Sequence, residues 1–108
     1  MAQYILIYKM AQPFDYSVLP EKEIQKMAEV WGEWLGSIGG KLVDRGDKFK
    51  SGAKVVATDG VHEADNLLSG YSIIEAEDID EALDFAKGSP ILRNNGTVEV
   101  YEAFGTSR

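Results

Sequence analysis

The run Tyr4-Ile5-Leu6-Ile7-Tyr8 is apolar at every position. Successive side chains of a strand point to opposite faces, so a strand here is apolar on both and must be covered on both. Ala2–Lys9 is therefore read as a strand buried on two sides. Two segments carry helical periodicity and can supply cover. The first opens at Pro20, whose missing N–H is harmless at a helix start, and runs to about Ile38. Its stripe is Ile24, Met27, Trp31, Trp34, Leu35 and Ile38, with Glu21 and Glu23 in the first turn and Gly39-Gly40 at the end. Gly32 and Gly36 lie beside the stripe and are read as points of close packing, with room for a ligand as the alternative. The second helix is capped by Asp78, with Glu81 at the capping-box position. Ile79, Ala82, Leu83 and Ala86 form its stripe, and Gly88 and Pro90 stop it.

Short strands fill the rest: Lys41 to Arg45, Lys54 to Ala57, Ser69 to Ala76 and Thr97 to Phe104. Phe14-Asp15-Tyr16-Ser17 and Thr58 to Leu68 are read as loops, Asn95-Gly96-Thr97 as a turn, and the tail after Gly105 as frayed. The order is that of a split βαβ, ferredoxin-like α+β fold, an antiparallel sheet with both helices on one face. Ile5, Ile7 and Ile74 are assigned to the helix side. Tyr4, Leu6, Tyr8, Tyr71, Ile73 and Tyr101 fall to the other face, for which the chain has no cover. An apolar patch of that extent is unusual on a monomer. Two sheets packed face to face would cover it, giving a homodimeric α+β barrel with a tyrosine-lined interior.

The 108 residues are expected to form one domain, 1–108, with an ordered core of about 2–104. Eighteen acidic residues against 11 basic ones give a net charge of -7, which disfavours nucleic acid and anionic membranes as partners. No apolar run approaches the length of a membrane span, and no secretory pattern precedes the first strand, so a cytoplasmic protein is expected. With no cysteine there are no disulfides, thiolate nucleophiles or cysteine-held metals.

Asp59-Gly60-Val61-His62-Glu63 followed by Leu68-Ser69-Gly70-Tyr71 resembles the signature of YCII-related proteins of the Asp-Gly-Pro-Phe type. Lys41-Leu42-Val43-Asp44, Ile79-Asp80-Glu81-Ala82-Leu83, Gly88-Ser89-Pro90-Ile91-Leu92 and Val98-Glu99-Val100 follow the same order, so the resemblance spans nearly the whole chain. It implies a dimeric α+β barrel in a family mostly of unassigned function. Histidine–acid chemistry has been suggested in its broader membership. Here Glu29, Val30 and Trp31 stand where the helix histidine would be expected, Val61-His62 replaces the Pro-Phe of the signature, and Ser89-Pro90 replaces an Asp-Pro.

His62, the single histidine, sits between Asp59 and Glu63. A carboxylate beside an imidazole can orient its tautomer for general-base work, so His62, Asp59 and Glu63 are the candidate catalytic set, expected at the rim of a cavity. A solvated loop histidine accounts for the same residues. Tyr8, Trp31, Tyr71 and Tyr101 are the candidate ligand-binding residues. Asp44 and Asp47 around Arg45 read as a solvated edge-strand cluster. The pattern supplies no metal site, nucleotide fingerprint or tightly held cofactor. Three functions stay open: a cofactor-free acid–base enzyme, a non-catalytic binder of small molecules, and a structural interaction module.

Overall fold

The computed structural model describes residues 1–14 and 16–105; Asp15 and the expected frayed tail lie outside the described residues. Six strands and two α-helices follow in the order β1 (Ala2–Lys9), α1 (Glu21–Ile38), β2 (Leu42–Asp44), β3 (Lys54–Ala57), β4 (Gly60–Glu63), β5 (Leu68–Ala76), α2 (Ile79–Ala86) and β6 (Thr97–Glu102). Four strands form one sheet in the order β2-β5-β1-β6, and every neighbouring pair is antiparallel. This is the ferredoxin-like arrangement: each helix follows a strand and recrosses the same face.

The helices begin and end where local chemistry dictates. Pro20 occupies the N-cap position, one residue before the first helical turn, and the acidic Glu21 and Glu23 sit against the positive end of the α1 dipole. The Asp78 carboxylate accepts from the Glu81 N–H at 2.9 Å, while the Glu81 carboxylate accepts from the Glu77 N–H at 2.8 Å. Glu81 also takes Lys41 at 2.7 Å, tying α2 to the start of β2. That cation, first, and the Glu77 amide hold its carboxyl below the usual range.

On β1 the helix-facing side is the reverse of the one expected, whereas Ile74 faces the helices and Tyr71, Ile73 and Tyr101 the open side, as the sequence reading has them. Tyr4, Leu6 and Tyr8 are buried against the helices with Trp34, Leu35, Ile38, Ala82 and Ile91. Ile5 and Ile7 point the other way, across from Ile73 and Tyr71 on β5 and from Tyr101 and Glu99 on β6. Both alternate sets of β1 are apolar, so hydrophobicity along that strand does not select a face. Volume on β5 does. Its helix-facing residues Gly70, Ser72, Ile74 and Ala76 are mostly small, leaving room for two tryptophans of α1, whereas Tyr71 and Ile73 are bulky. The open face remains apolar, with Ile5, Ile7, Tyr71 and Ile73 half-buried and Tyr101 exposed.

The segment expected as a polar loop from Thr58 to Leu68 contains β4, paired with β3 as a separate hairpin, and its last residue opens β5. Val56 faces Val61, Lys54 pairs with Glu63, and Thr58-Asp59 make the turn, with Gly60 at φ 137°. These cross-strand pairs make a strand of a segment whose own sequence carries little alternation. The Asn66 side chain closes the base, accepting from the Gly52 and Ala53 N–H groups at 3.1 Å. Two helix expectations also change. Ile79 and Leu83 are exposed, while Phe85 packs on the core in their place. A Cβ at Gly32 or Gly36 would meet open space, so close packing within the chain does not explain either glycine.

Candidate functional site

A cleft of about 260 Å³ opens between α1, β5 and the strap 45–48 that follows β2. The strap lies directly on β5. Tyr71 N–H donates to the Asp47 carbonyl at 3.3 Å, Phe49 N–H donates to the Ser69 carbonyl at 2.9 Å, and Lys48 bridges Gly70. Two glycines permit this approach. Gly46 has φ 72°, and a side chain there would collide with the Tyr71 carbonyl. A Cβ on Gly70 would lie 2.7 Å from the Asp47 carbonyl oxygen. Asp44 and Asp47 act as turn makers, accepting from the Gly46 and Lys48 N–H groups, each at 2.8 Å. Arg45 is exposed on this strap, lines the cleft, and forms no ion pair among the described residues.

At the inner wall, Tyr8 Oη donates to Ser72 Oγ at 2.8 Å, and Ser72 Oγ donates to the Arg45 carbonyl at 2.6 Å. Trp31 meets the Tyr8 ring edge-on, with centroids 4.8 Å apart, and Trp34 closes the aromatic trio at 6.0 Å from Tyr8. Burial pushes the Tyr8 phenol up to about 12, against a smaller opposite pull from Ser72. Near neutral pH, Tyr8 is therefore a neutral hydrogen-bonding group and not a base. Trp34 is held by its indole N–H, which donates to the Phe85 carbonyl at 3.1 Å. Ser72 escaped the sequence reading. Its one signal is a small polar residue at a core-facing position of an apolar strand.

The other candidate residues are divided between places. Tyr8, Trp31 and Tyr71 all line the cleft, and Tyr71 also stacks on Phe49 with centroids 6.0 Å apart. Tyr101 does not line it. On the open face it donates to the Glu99 carboxylate at 2.6 Å, which raises the phenol and, with Lys9, lowers the carboxyl. His62 and Asp59 do come together: Nε2 lies 2.7 Å from Oδ1, at the turn end of the β3–β4 hairpin. Both are exposed, at 51% and 73% of their side chains, and Glu63 faces Lys54 across the hairpin. None of these three lines the cleft. Among the described residues no group of three or more histidine or acidic side chains is placed to hold a metal ion, and no helix is long and apolar enough to cross a membrane.

No curated protein sequence matches the chain significantly. The model of the YCII-related domain matches residues 4–105, every element described above except the first residues of β1. The chain therefore belongs to the YCII-related family.

Proposed function

We propose that this protein binds a small aromatic or apolar acid in the cleft between α1 and β5, and does so as a homodimer joined through the open faces of its sheets. One observation carries the binding reading: an aromatic cleft whose wall bears the Tyr8–Ser72 hydroxyl pair and whose rim bears Arg45, which has no ion partner among the described residues. Binding sites of this kind combine apolar walls with a few converging polar groups. An apolar cavity of about 150 Å³ holds benzene, so about 260 Å³ suits one ring with a short acidic substituent. The ring would pack on Trp31 and Leu35, and the acid would face the Arg45 guanidinium, which is suited to bidentate carboxylate contacts.

The test is a thermal-shift and calorimetric screen of benzoate, salicylate and phenylacetate against their neutral amides. The acids are expected to stabilise the fold, by about 2.7 kcal/mol at a hundred times the dissociation constant. Arg45→Met should weaken them about tenfold, the scale of a lost charge-assisted hydrogen bond. Failure of every single-ring acid to bind at millimolar concentration would overturn the reading.

A second reading, acid–base turnover, has the His62–Asp59 contact in its favour, because a carboxylate fixes the orientation of the imidazole. It requires the hairpin of one chain or its partner to deliver that pair to a bound substrate. His62→Ala separates the two readings: a binder keeps its affinity for the acids, whereas an enzyme loses turnover.

A further inference from the structure

On the far side of Trp31 and Met27, an open groove of about 500 Å³ runs between α1 and the short 3₁₀ turn Pro90–Asn94. Its walls are apolar: Val30, Trp31 and Met27 from α1, Ile91 from the 3₁₀ turn, and Phe14 from the segment after β1. Two cations, Lys26 and Arg93, line it as well. Both are exposed, and neither makes an ion pair or side-chain hydrogen bond among the described residues. The chain has a net charge of -7, with 18 acidic residues to 11 basic ones. In such a chain, two cations that have no acidic partner among the described residues form, on one apolar groove, a local reversal of sign.

We infer that this groove is a second binding site, for a flexible amphipathic anion of the fatty-carboxylate class. The acyl chain would lie along Met27, Val30 and Ile91, and the carboxylate would be held by Lys26 and Arg93. The unbranched, flexible Met27 side chain can adapt to a flexible acyl chain, and Val30 and Ile91 add apolar surface. Guanidinium and ammonium groups together give directional and point-charge recognition of a carboxylate. The groove shares only Trp31 and Met27 with the cleft of the proposed function, and its charges come from different elements. The inference therefore stands whether or not the first cleft takes a ring acid.

Decanoate and the uncharged decanol serve as probes, titrated calorimetrically into the full chain below the critical concentration for micelles. Decanoate is expected to bind at least about tenfold more tightly than decanol. The double variant Lys26→Met, Arg93→Met should lose about tenfold or more in decanoate affinity while Arg45→Met keeps it within about twofold. Lys26 and Arg93 are exposed, so circular dichroism should show both variants folded. Equal affinity for decanoate and decanol, no decanoate binding at millimolar concentration, or unchanged binding by the double variant overturns the inference. Loss of binding in Arg45→Met alone overturns it too, by assigning the fatty acid to the first cleft.

Discussion

Tyr8 concentrates more of the site's chemistry than any other residue. Its ring joins the two tryptophans of α1 to the sheet, and its hydroxyl starts the hydrogen-bond chain through Ser72 to the Arg45 carbonyl. Burial raises its pKa from 10.0 to about 12. A phenol whose folded pKa is raised stays protonated while the unfolded chain ionises, so stability is full below pH 10.0 and declines as pH rises towards about 12. At 1.36 kcal/mol per pKa unit, the loss attributable to Tyr8 is of the order of 2–3 kcal/mol. Denaturant unfolding of wild type and Tyr8→Phe across this window should show the variant with the shallower alkaline decline. At neutral pH the variant should be less stable by about 0.5–1.5 kcal/mol, for one lost hydrogen bond. Parallel alkaline declines would mean that Tyr8 ionises as freely in the fold as in the unfolded chain. The raised Tyr4 and Tyr101 phenols act in the same direction in both proteins and cancel in the difference.

At the scale of elements, α1 carries an apparent cost. Gly32 and Gly36 each disfavour the helix by roughly 0.5–1 kcal/mol relative to alanine, and no atom within 4 Å of either ideal Cβ position explains them. Gly32→Ala and Gly36→Ala should therefore each raise the melting temperature by several degrees, since about 1 kcal/mol moves a domain of this size by roughly 4–8 °C. Differential scanning calorimetry on the single variants checks this. A fall in melting temperature at either position would place a second copy or a ligand against that edge of the helix. The hairpin β3–β4 is the contrasting element. Every residue in it is exposed, Val56 at 82%, and among the described residues its strands pair only with each other. A two-stranded hairpin on its own is marginally stable. The His62–Asp59 pair thus rides on the least supported part of the sheet structure, whereas Tyr8 and Ser72 sit on the two central strands.

For the whole molecule, the uncovered sheet face sets the expected assembly. Ile5, Ile7, Tyr71, Ile73 and Tyr101 line up across β5, β1 and β6, and no helix among the described residues lies over them. Two such faces packed together should bury more than roughly 1,000 Å² in total, enough for a stable complex. Light scattering should therefore find a dimer at micromolar concentration. Ile73→Lys, which places a charge near the centre of that face, should give a folded monomer with an unchanged circular dichroism spectrum. A wild-type monomer at the same concentration would overturn the dimer and leave the open face without its proposed cover.

The sequence alone determined the order of the main elements and much of their extent, because those depend on local chemistry. The unbroken apolar run in Ala2–Lys9, periodicity from Ile24 to Ile38 and the Asp78–Glu81 cap are readable residue by residue, and the family signature runs through the same segments. Tyr8, Trp31 and Tyr71, singled out from the sequence as large aromatic side chains that demand a partner surface, come together in the lining of one cleft. Only the tertiary structure decided which way β1 faces. Its two faces are nearly equal in hydrophobicity, and the choice rests on small residues of β5, more than 60 positions away along the chain, as the Tyr8–Gly70 pairing shows. It also decided that Gly60–Glu63 is a strand, since that segment is ordered by cross-strand partners and not by its own pattern. The same holds for the cleft. Arg45 and Ser72 meet there because Gly46 and Gly70 let the strap 45–48 lie on β5, a close approach between segments distant in sequence.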